Sequence, residues 1–207
     1  MSIVKLVILF SGEGSNLENI IRQLHKKEID GKSYEVVAAI CNKKEANGIK
    51  RAKKYGIDTI VIEHKNFKSR EEFDKKLVSL INSYKADLTV LAGFMRILTP
   101  IFTENIKAIN LHPSLLPLFK GANAIERSFF SDMKVGGVSV HFVSSELDGG
   151  KIILQKCFQK EEDDTLESFT KKIKELEFEL LPKAIVKITR GDNLSSKVSF
   201  SNLIISQ

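Results

Sequence analysis

The sequence is poor in the residues that would place it among special classes of protein. Of its 207 residues only two are cysteines, Cys41 and Cys157, and they form neither a C-x-x-C pair nor a secreted disulfide framework. That usage suits a reducing compartment, and the chain is expected in the cytoplasm. No two of the four histidines have metal-ligand spacing and neither cysteine has a local ligand partner, so no metal is expected. The apolar run at 3–10 is far shorter than the roughly 20 residues a membrane span takes. It also lacks a basic flank and a cleavage site, so neither a membrane partner nor a signal peptide is expected. There is no Gly/Pro excess and no low-complexity stretch, which excludes fibrous and disordered chains. Basic doublets such as Lys43-Lys44 and Lys53-Lys54 recur without the aromatic platform that single-strand binders use. They read as solvated helix faces, and no nucleic-acid partner is expected.

What is present is an ordinary globular composition, 43% hydrophobic and 28% charged, with a net charge of +6. This length favours one domain and buries enough surface to fold without a staple. Buried strands are expected at 4–10, 36–41, 59–62 and 88–92, separated by helical patterns. Leu17, Ile20, Ile21 and Leu24 form one stripe, and Phe73, Leu77, Leu80, Ile81 and Tyr84 another. Ser15-x-x-Glu18, Ser69-x-x-Glu72 and Asp164-x-x-Glu167 are candidate caps for three of the helices. Further strands are expected at 108–111, 138–143 and 152–159, the last two as a pair flanking Asp148-Gly149-Gly150, followed by one long helix. The fold class is α/β: an open, mostly parallel Rossmann-like sheet with helices on both faces and an antiparallel C-terminal strand pair. The chain divides into a first half near 1–92, a second half near 93–190, and a short tail at 191–207, all within a single domain.

Four segments carry chemistry. Ser11-Gly12-Glu13-Gly14-Ser15-Asn16 lies between the first strand and first helix, where free N–H groups favour an anion. It is neither a Walker A loop nor a dinucleotide fingerprint, and pattern by itself leaves phosphate binding and an ordinary turn both open. In Ile109-Asn110-Leu111-His112 the alternation puts Asn110 and His112 on one strand face, an amide donor beside an imidazole. Strand ends at the carboxyl edge of such sheets are where ligands bind. Asp148-Gly149 is a turn signal whose carboxylate can also reach an imidazole. Ala92-Gly93-Phe94-Met95-Arg96-Ile97-Leu98 leaves the fourth strand as an apolar stretch fit for a flat aromatic ligand. His25 reads as a complement to a helix dipole, and His141, between Val140 and Phe142, as a sheet-face residue rather than a catalyst.

In order and spacing these segments resemble the phosphoribosylglycinamide formyltransferase family over nearly the whole chain, and the resemblance implies a cis Leu116-Pro117 bond. The resemblance implies direct attack of the ribonucleotide amine on the formyl group of 10-formyltetrahydrofolate, the co-substrate, with small molecules as the partners and oligomeric state left open. It assigns Gly14, Ser15 and Asn16 to the phosphate, and Lys174 and Glu177 to the glycinamide substrate. Arg70, Met95, Arg96, Ile97, Leu98 and Asn110 are assigned to the folate. Asn110, His112 and Asp148 become the catalytic trio: oxyanion donor, proton carrier as imidazolium, and the carboxylate that positions it. Two departures stand out. Gly121-Ala122-Asn123-Ala124-Ile125 replaces a stretch where the family often carries histidines, and Lys134-Val135-Gly136-Gly137 lacks another.

Rival readings are a methionyl-tRNA formyltransferase, a formyltetrahydrofolate deformylase and a non-enzymatic nucleotide-binding module. The first normally carries an extra C-terminal domain and lacks the Gly-Ser-Asn loop; the second would need an N-terminal regulatory domain. The net charge of +6 suits the anionic phosphate and the folate's glutamate tail.

Overall fold

A computed structural model describes residues 2–190 of the chain; the tail expected at 191–207 lies outside the described residues. The elements run β1 (Ser2–Phe10), α1 (Ser15–Leu24), β2 (Lys27–Ile29), β3 (Lys32–Cys41), α2 (Asn47–Lys54), β4 (Thr59–Val61) and α3 (Arg70–Ser83). They continue as β5 (Leu88–Leu91), α4 (Pro100–Thr103), β6 (Ala108–His112), α5 (Ala124–Phe129), β7 (Val135–Phe142), β8 (Ile152–Gln159) and α6 (Leu166–Arg190). One open eight-stranded sheet has the order β2-β3-β1-β5-β6-β7-β8, with β4 also paired to β3. The pairs β1–β3, β1–β5, β3–β4 and β5–β6 are parallel. β6–β7 and β7–β8 are antiparallel, as is the short β2–β3 hairpin.

The central strand explains the layering. Leu6, Val7, Ile8, Leu9 and Phe10 of β1 are all fully buried because both faces of the sheet are covered. Their alternation splits them between two cores. Leu6, Ile8 and Phe10 pack with Leu17, Ile20 and Ile21 of α1 and with Phe169, Ile173 and Leu181 of α6. Val7 and Leu9 pack on the opposite face with Phe73, Leu77 and Ile81 of α3 and Phe102 of α4.

Local signals held where the backbone could use them. Ser69 caps α3, its Oγ accepting the Glu72 N–H at 3.2 Å. The other two caps shifted. The residue before α1 is Gly14, at φ 69°, with no side-chain cap, and Glu18 turns away to pair with Arg51 and accept from the Tyr55 hydroxyl. α6 is capped one residue later than expected: Thr165 and Ser168 exchange side-chain-to-backbone bonds at 2.9 and 3.1 Å. Asp164 is drawn off by Lys172 instead. His25 does not complement the helix dipole as a cation. Burial, and then Lys26, push its pKa down, and its Nδ1 accepts the Val36 N–H at 3.1 Å. The hairpin strand β2 was not anticipated; Asp30 and Gly31, both at positive φ, form its turn.

Two close contacts hold α1 to the rest of the molecule. Pro182 inside α6 has no N–H to give the Phe178 carbonyl one turn back. That carbonyl accepts from Asn19 at 2.8 Å and Gln23 at 3.1 Å, both on α1. At the other end, a Cβ on Gly14 would lie 2.4 Å from the Gly48 Cα, and one on Gly48 would lie 2.4 Å from the Phe10 ring. The loop after β1 and the start of α2 therefore approach only because both positions are glycine.

Asp74 of α3 is 1% exposed and accepts both the N–H of Thr99, at 2.6 Å, and its hydroxyl, at 2.7 Å. Burial pushes its pKa above the usual carboxylate value, against the two Thr99 bonds. A raised folded pKa means that ionising Asp74 costs stability: the benefit is full below the unfolded value near about 3.9 and is lost as pH rises through the folded value.

Three outcomes follow, each measured by denaturant unfolding. Gly48→Ala is expected to lose about 1–3 kcal/mol through overpacking against Phe10. Asp74→Ala is expected to lose about 1–3 kcal/mol through orphaned Thr99 donors. Asp74→Asn keeps an acceptor without the buried charge, so it should be at least as stable as the parent at pH 7, with that advantage disappearing near pH 4.

Candidate active site

In an open α/β sheet the ligand crevice forms where the strand order reverses. Here that point lies between β1 and β5, since the chain moves outward from β1 to β3 and β4 and then returns on the far side to β5 and β6. The loops after β1, β5 and β6, together with the β7–β8 connection, enclose a cavity of about 730 Å³. It draws on both halves of the chain.

At one end stands the loop Ser11–Asn16 followed by α1. Gly14 turns the chain at φ 69° and leaves the first N–H groups of α1 facing the cavity end, where an anion is favoured. Asn16 is buried, its Nδ2 donating to Glu177 Oε2 at 2.9 Å while its own Oδ1 is buried without a partner. Lys174 Nζ meets the same carboxylate oxygen at 2.7 Å. Gly14, Ser15, Asn16, Lys174 and Glu177 thus line one end together, although 158 residues separate Asn16 from Lys174. Lys43 also lines this end, a residue the sequence reading had placed among the surface doublets.

At the other end are Asn110 and His112 on β6. As the alternation required, Ile109 and Leu111 face the apolar core packed by α6, and Asn110 and His112 face away from it. Asp148, at φ 48° in the β7–β8 connection, brings a carboxylate with 7% side-chain exposure onto that face. Its Oδ2 lies 3.3 Å from His112 Nδ1 and accepts the Gly121 N–H at 2.8 Å. Its Oδ1 accepts from Asn110 Nδ2 at 3.3 Å and lies 3.5 Å from His141 Nε2. Burial pushes the Asp148 pKa up, but the His141 and Gly121 hydrogen bonds and the two histidine charges outweigh it, and the net shift is downward. The other ring nitrogen of His112, Nε2, donates to the Phe119 carbonyl at 2.9 Å. Acceptors therefore face both ring nitrogens, an arrangement that an imidazolium satisfies in full.

His141 was the residue that sequence reasoning passed over. It lies on a sheet face, as read, but that face is the one carrying the trio. The antiparallel register sets it directly opposite Asn110, with Nε2 3.1 Å from Asn110 Nδ2 and Nδ1 donating to the Phe142 carbonyl at 2.9 Å. The discoverable signal was its spacing two residues from Ser139, but which strand it opposes depends on the pairing. Gly150 makes the approach possible, since a Cβ there would come within 1.8 Å of the Phe142 oxygen.

The segment after β5 forms a third wall. Ser11 fixes it, accepting the Met95 N–H on its hydroxyl at 2.8 Å and donating its own N–H to the Gly93 carbonyl. Asp74 holds its far end through Thr99. Between these anchors Met95 is 74% and Ile97 54% exposed, apolar side chains beside the cavity, whereas Leu98 is buried. Arg96 lines the same wall, with Nε buried and unpartnered. Arg70 stands apart: it is the first residue of α3, exposed, and does not line the cavity. Among the described residues no group of three His, Cys, Asp or Glu could hold a metal, and no helix is long and apolar enough to cross a membrane.

Comparison with known proteins identifies the family and the fold. The formyl transferase family profile matches residues 4–185. Phosphoribosylglycinamide formyltransferase of Haemophilus influenzae is 38% identical, the match covering 92% of each chain. The trifunctional purine biosynthetic protein adenosine-3 of Gallus gallus is 39% identical over 91% of this chain, which spans only 19% of that longer protein. The crystal structure of phosphoribosylglycinamide formyltransferase from Campylobacter jejuni is 61% identical and superposes with a TM-score of 0.89, covering 90% of this chain and 98% of that one. With family profile, relatives and solved structures in agreement along nearly its whole length, the chain belongs to the formyl transferase family, among the phosphoribosylglycinamide formyltransferases.

Proposed function

We propose that this chain transfers the formyl group of 10-formyltetrahydrofolate to the primary amine of phosphoribosylglycinamide, and that Asn110, His112 and Asp148 carry the reaction. The observation that carries this reading is the buried Asp148 carboxylate, shared between His112 and Asn110 at the mouth of a cavity whose opposite end is an anion-favouring helix start. The ribonucleotide phosphate fits that helix start, at Gly14, Ser15 and Asn16, and Lys174 and Glu177 fit its glycinamide portion. Met95, Ile97 and Leu98 offer apolar surface to the flat folate ring, and the buried, unpartnered Arg96 Nε is a donor awaiting an acceptor. Arg70, outside the cavity, would meet only a protruding part of the folate, such as its anionic tail.

The folate supplies an activated formyl carbon, and the chain's own residues do the rest. Asn110 gives up its long 3.3 Å contact with Asp148 and donates to the formyl oxygen as it gains negative charge. Such a donor contributes about 3–4 kcal/mol in comparable sites. As an imidazolium, His112 adds positive charge; it gives its Nε2 proton to the departing folate nitrogen as the C–N bond breaks, and Nε2 then takes a proton from the amine that has attacked. Asp148 holds Nδ1 of that ring, and Nε2 leaves the Phe119 carbonyl to make these transfers. The depressed pKa of Asp148 keeps this function available through neutral and mildly acid pH: a lowered folded value means that its support is present above about pH 3.9 and fades only as pH falls through the folded value. No covalent intermediate on the protein is needed.

In a spectrophotometric transfer assay with both substrates, His112→Ala and Asp148→Asn should each lower kcat by about 10²–10⁴-fold. The ribonucleotide KM should stay close to that of the parent, because its phosphate site lies at the other end of the cavity. Near-normal turnover in either variant would overturn the assignment. Formate release without formylation of the amine would identify a hydrolase instead.

A further inference from the structure

The wall that follows β5 has little structure of its own. Residues 94–99 form neither helix nor strand, and within 93–99 the backbone closes one bond on itself, from the Arg96 N–H to the Phe94 carbonyl at 2.9 Å. Its apolar anchors are Phe94 and Leu98, buried on the sheet face that also holds Phe73 and Leu77 of α3. Burial of that kind is non-directional: it holds the segment down without setting which way the rest of it faces. Met95 and Ile97 are nonetheless kept exposed beside the cavity.

Direction comes from two buried polar residues that the proposed chemistry does not use. Ser11, 3% exposed, grips the start of the wall. Its N–H donates to the Gly93 carbonyl at 3.0 Å, and its hydroxyl oxygen accepts the Met95 N–H at 2.8 Å. At the far end Asp74 takes both the N–H and the hydroxyl of Thr99 on a single oxygen, Oδ2. Thr99 stands at the N-cap position of α4, yet its hydroxyl caps nothing and turns to Asp74 instead. A residue before proline is confined to extended backbone, and Thr99, at φ −87° and ψ 170° before Pro100, is fastened in that form by both bonds. Charge-assisted bonds of this kind are short and strong. The other Asp74 oxygen is buried without a partner, so the carboxylate is kept here at a cost in desolvation.

We propose that Ser11 and Asp74 are positioning residues for the folate: they hold residues 93–99 in the arrangement that presents Met95, Ile97 and the backbone between them to the flat folate ring. The proposal rests on the reading of this wall as the folate surface. Asp74 does not line the cavity, and the Ser11 hydroxyl is engaged by Met95. Their effect therefore runs through the wall, and that sets the test.

Asp74→Ala removes the acceptor for both Thr99 groups. A wall that is in its binding arrangement only about a tenth of the time loses about tenfold in apparent affinity, so the folate KM is expected to rise by about that factor or more. The ribonucleotide KM should stay within about twofold of the parent, and kcat at saturating folate within about threefold. Asp74→Asn keeps an oxygen acceptor for Thr99 and should bring the folate KM back to within about threefold of the parent. Ser11→Ala should repeat the rise in folate KM, and it serves as the second variant where circular dichroism shows that Asp74→Ala does not fold. Equal rises in both KM values, a loss confined to kcat, no rescue in Asp74→Asn, or a parent-like folate KM in both alanine variants would sink the proposal. Ile97→Asp leaves both anchors in place and puts a charge on the exposed wall, so it should raise the folate KM by itself. Should it leave that KM unchanged, the reading of the wall as the folate surface falls first and the anchors' function with it.

Discussion

A carboxylate taken out of water must be met by donors, and in this molecule that requirement organises the Asp148 end of the cavity. Asp148 keeps 7% side-chain exposure and is met by the Gly121 N–H, the Asn110 amide and the rings of His112 and His141. These four groups come from three pieces of architecture: β6 carries Asn110 and His112, β7 carries His141, and the loop after β6 carries Gly121. None could move far without leaving a buried charge unpaired, which is a larger penalty than losing an ordinary surface contact. The left-handed backbone at Asp148 and the tight approach of Gly150 to the Phe142 carbonyl are what the chain accepts to deliver that carboxylate.

The sheet makes this possible by changing direction. From β3 to β6 the strands run parallel and the crossovers place helices on both faces, which buries β1 completely and opens a crevice at the carboxyl edge. At β6–β7 the pairing turns antiparallel. Residues of two strands then stand opposite each other pairwise, Asn110 with His141 and His112 with Ser139. A parallel neighbour would have followed a crossover helix; the antiparallel one sets a polar row against the catalytic strand. The other end of the cavity rests on different physics, a helix start made accessible by Gly14 and closed against α2 at Gly48, with Asn16 and Glu177 linking α1 to α6.

Much of this was legible in the residues, for reasons that can be named. Continuous Val/Ile/Leu runs can only be buried strands, so the parallel core was readable. Two-residue alternation put Asn110 and His112 on one face, and the structure keeps them there. Ser69 caps α3 as read because its hydroxyl and the Glu72 N–H lie within one turn, where local pattern is enough to bring them together. The caps of α1 and α6 moved because Glu18 and Asp164 found basic partners, Arg51 and Lys172, that local pattern does not reveal. His141 was discounted because alternation tells which residues share a face but not what that face opposes.

The sequence by itself determined the class of fold, the positions of the main strands, the glycines that shape the loop after β1, and the residue types available for chemistry. These are local properties: periodicity, backbone freedom and side-chain chemistry are all written within a few neighbouring positions. Only the tertiary structure decided which of them meet. It brought Asn16 against Glu177 and set His141 opposite Asn110. It left Arg70 outside the cavity and drew Ser11 and Asp74 onto the segment after β5. Strand register and helix packing arise from burying the whole apolar surface at once, so no short stretch of residues contains them.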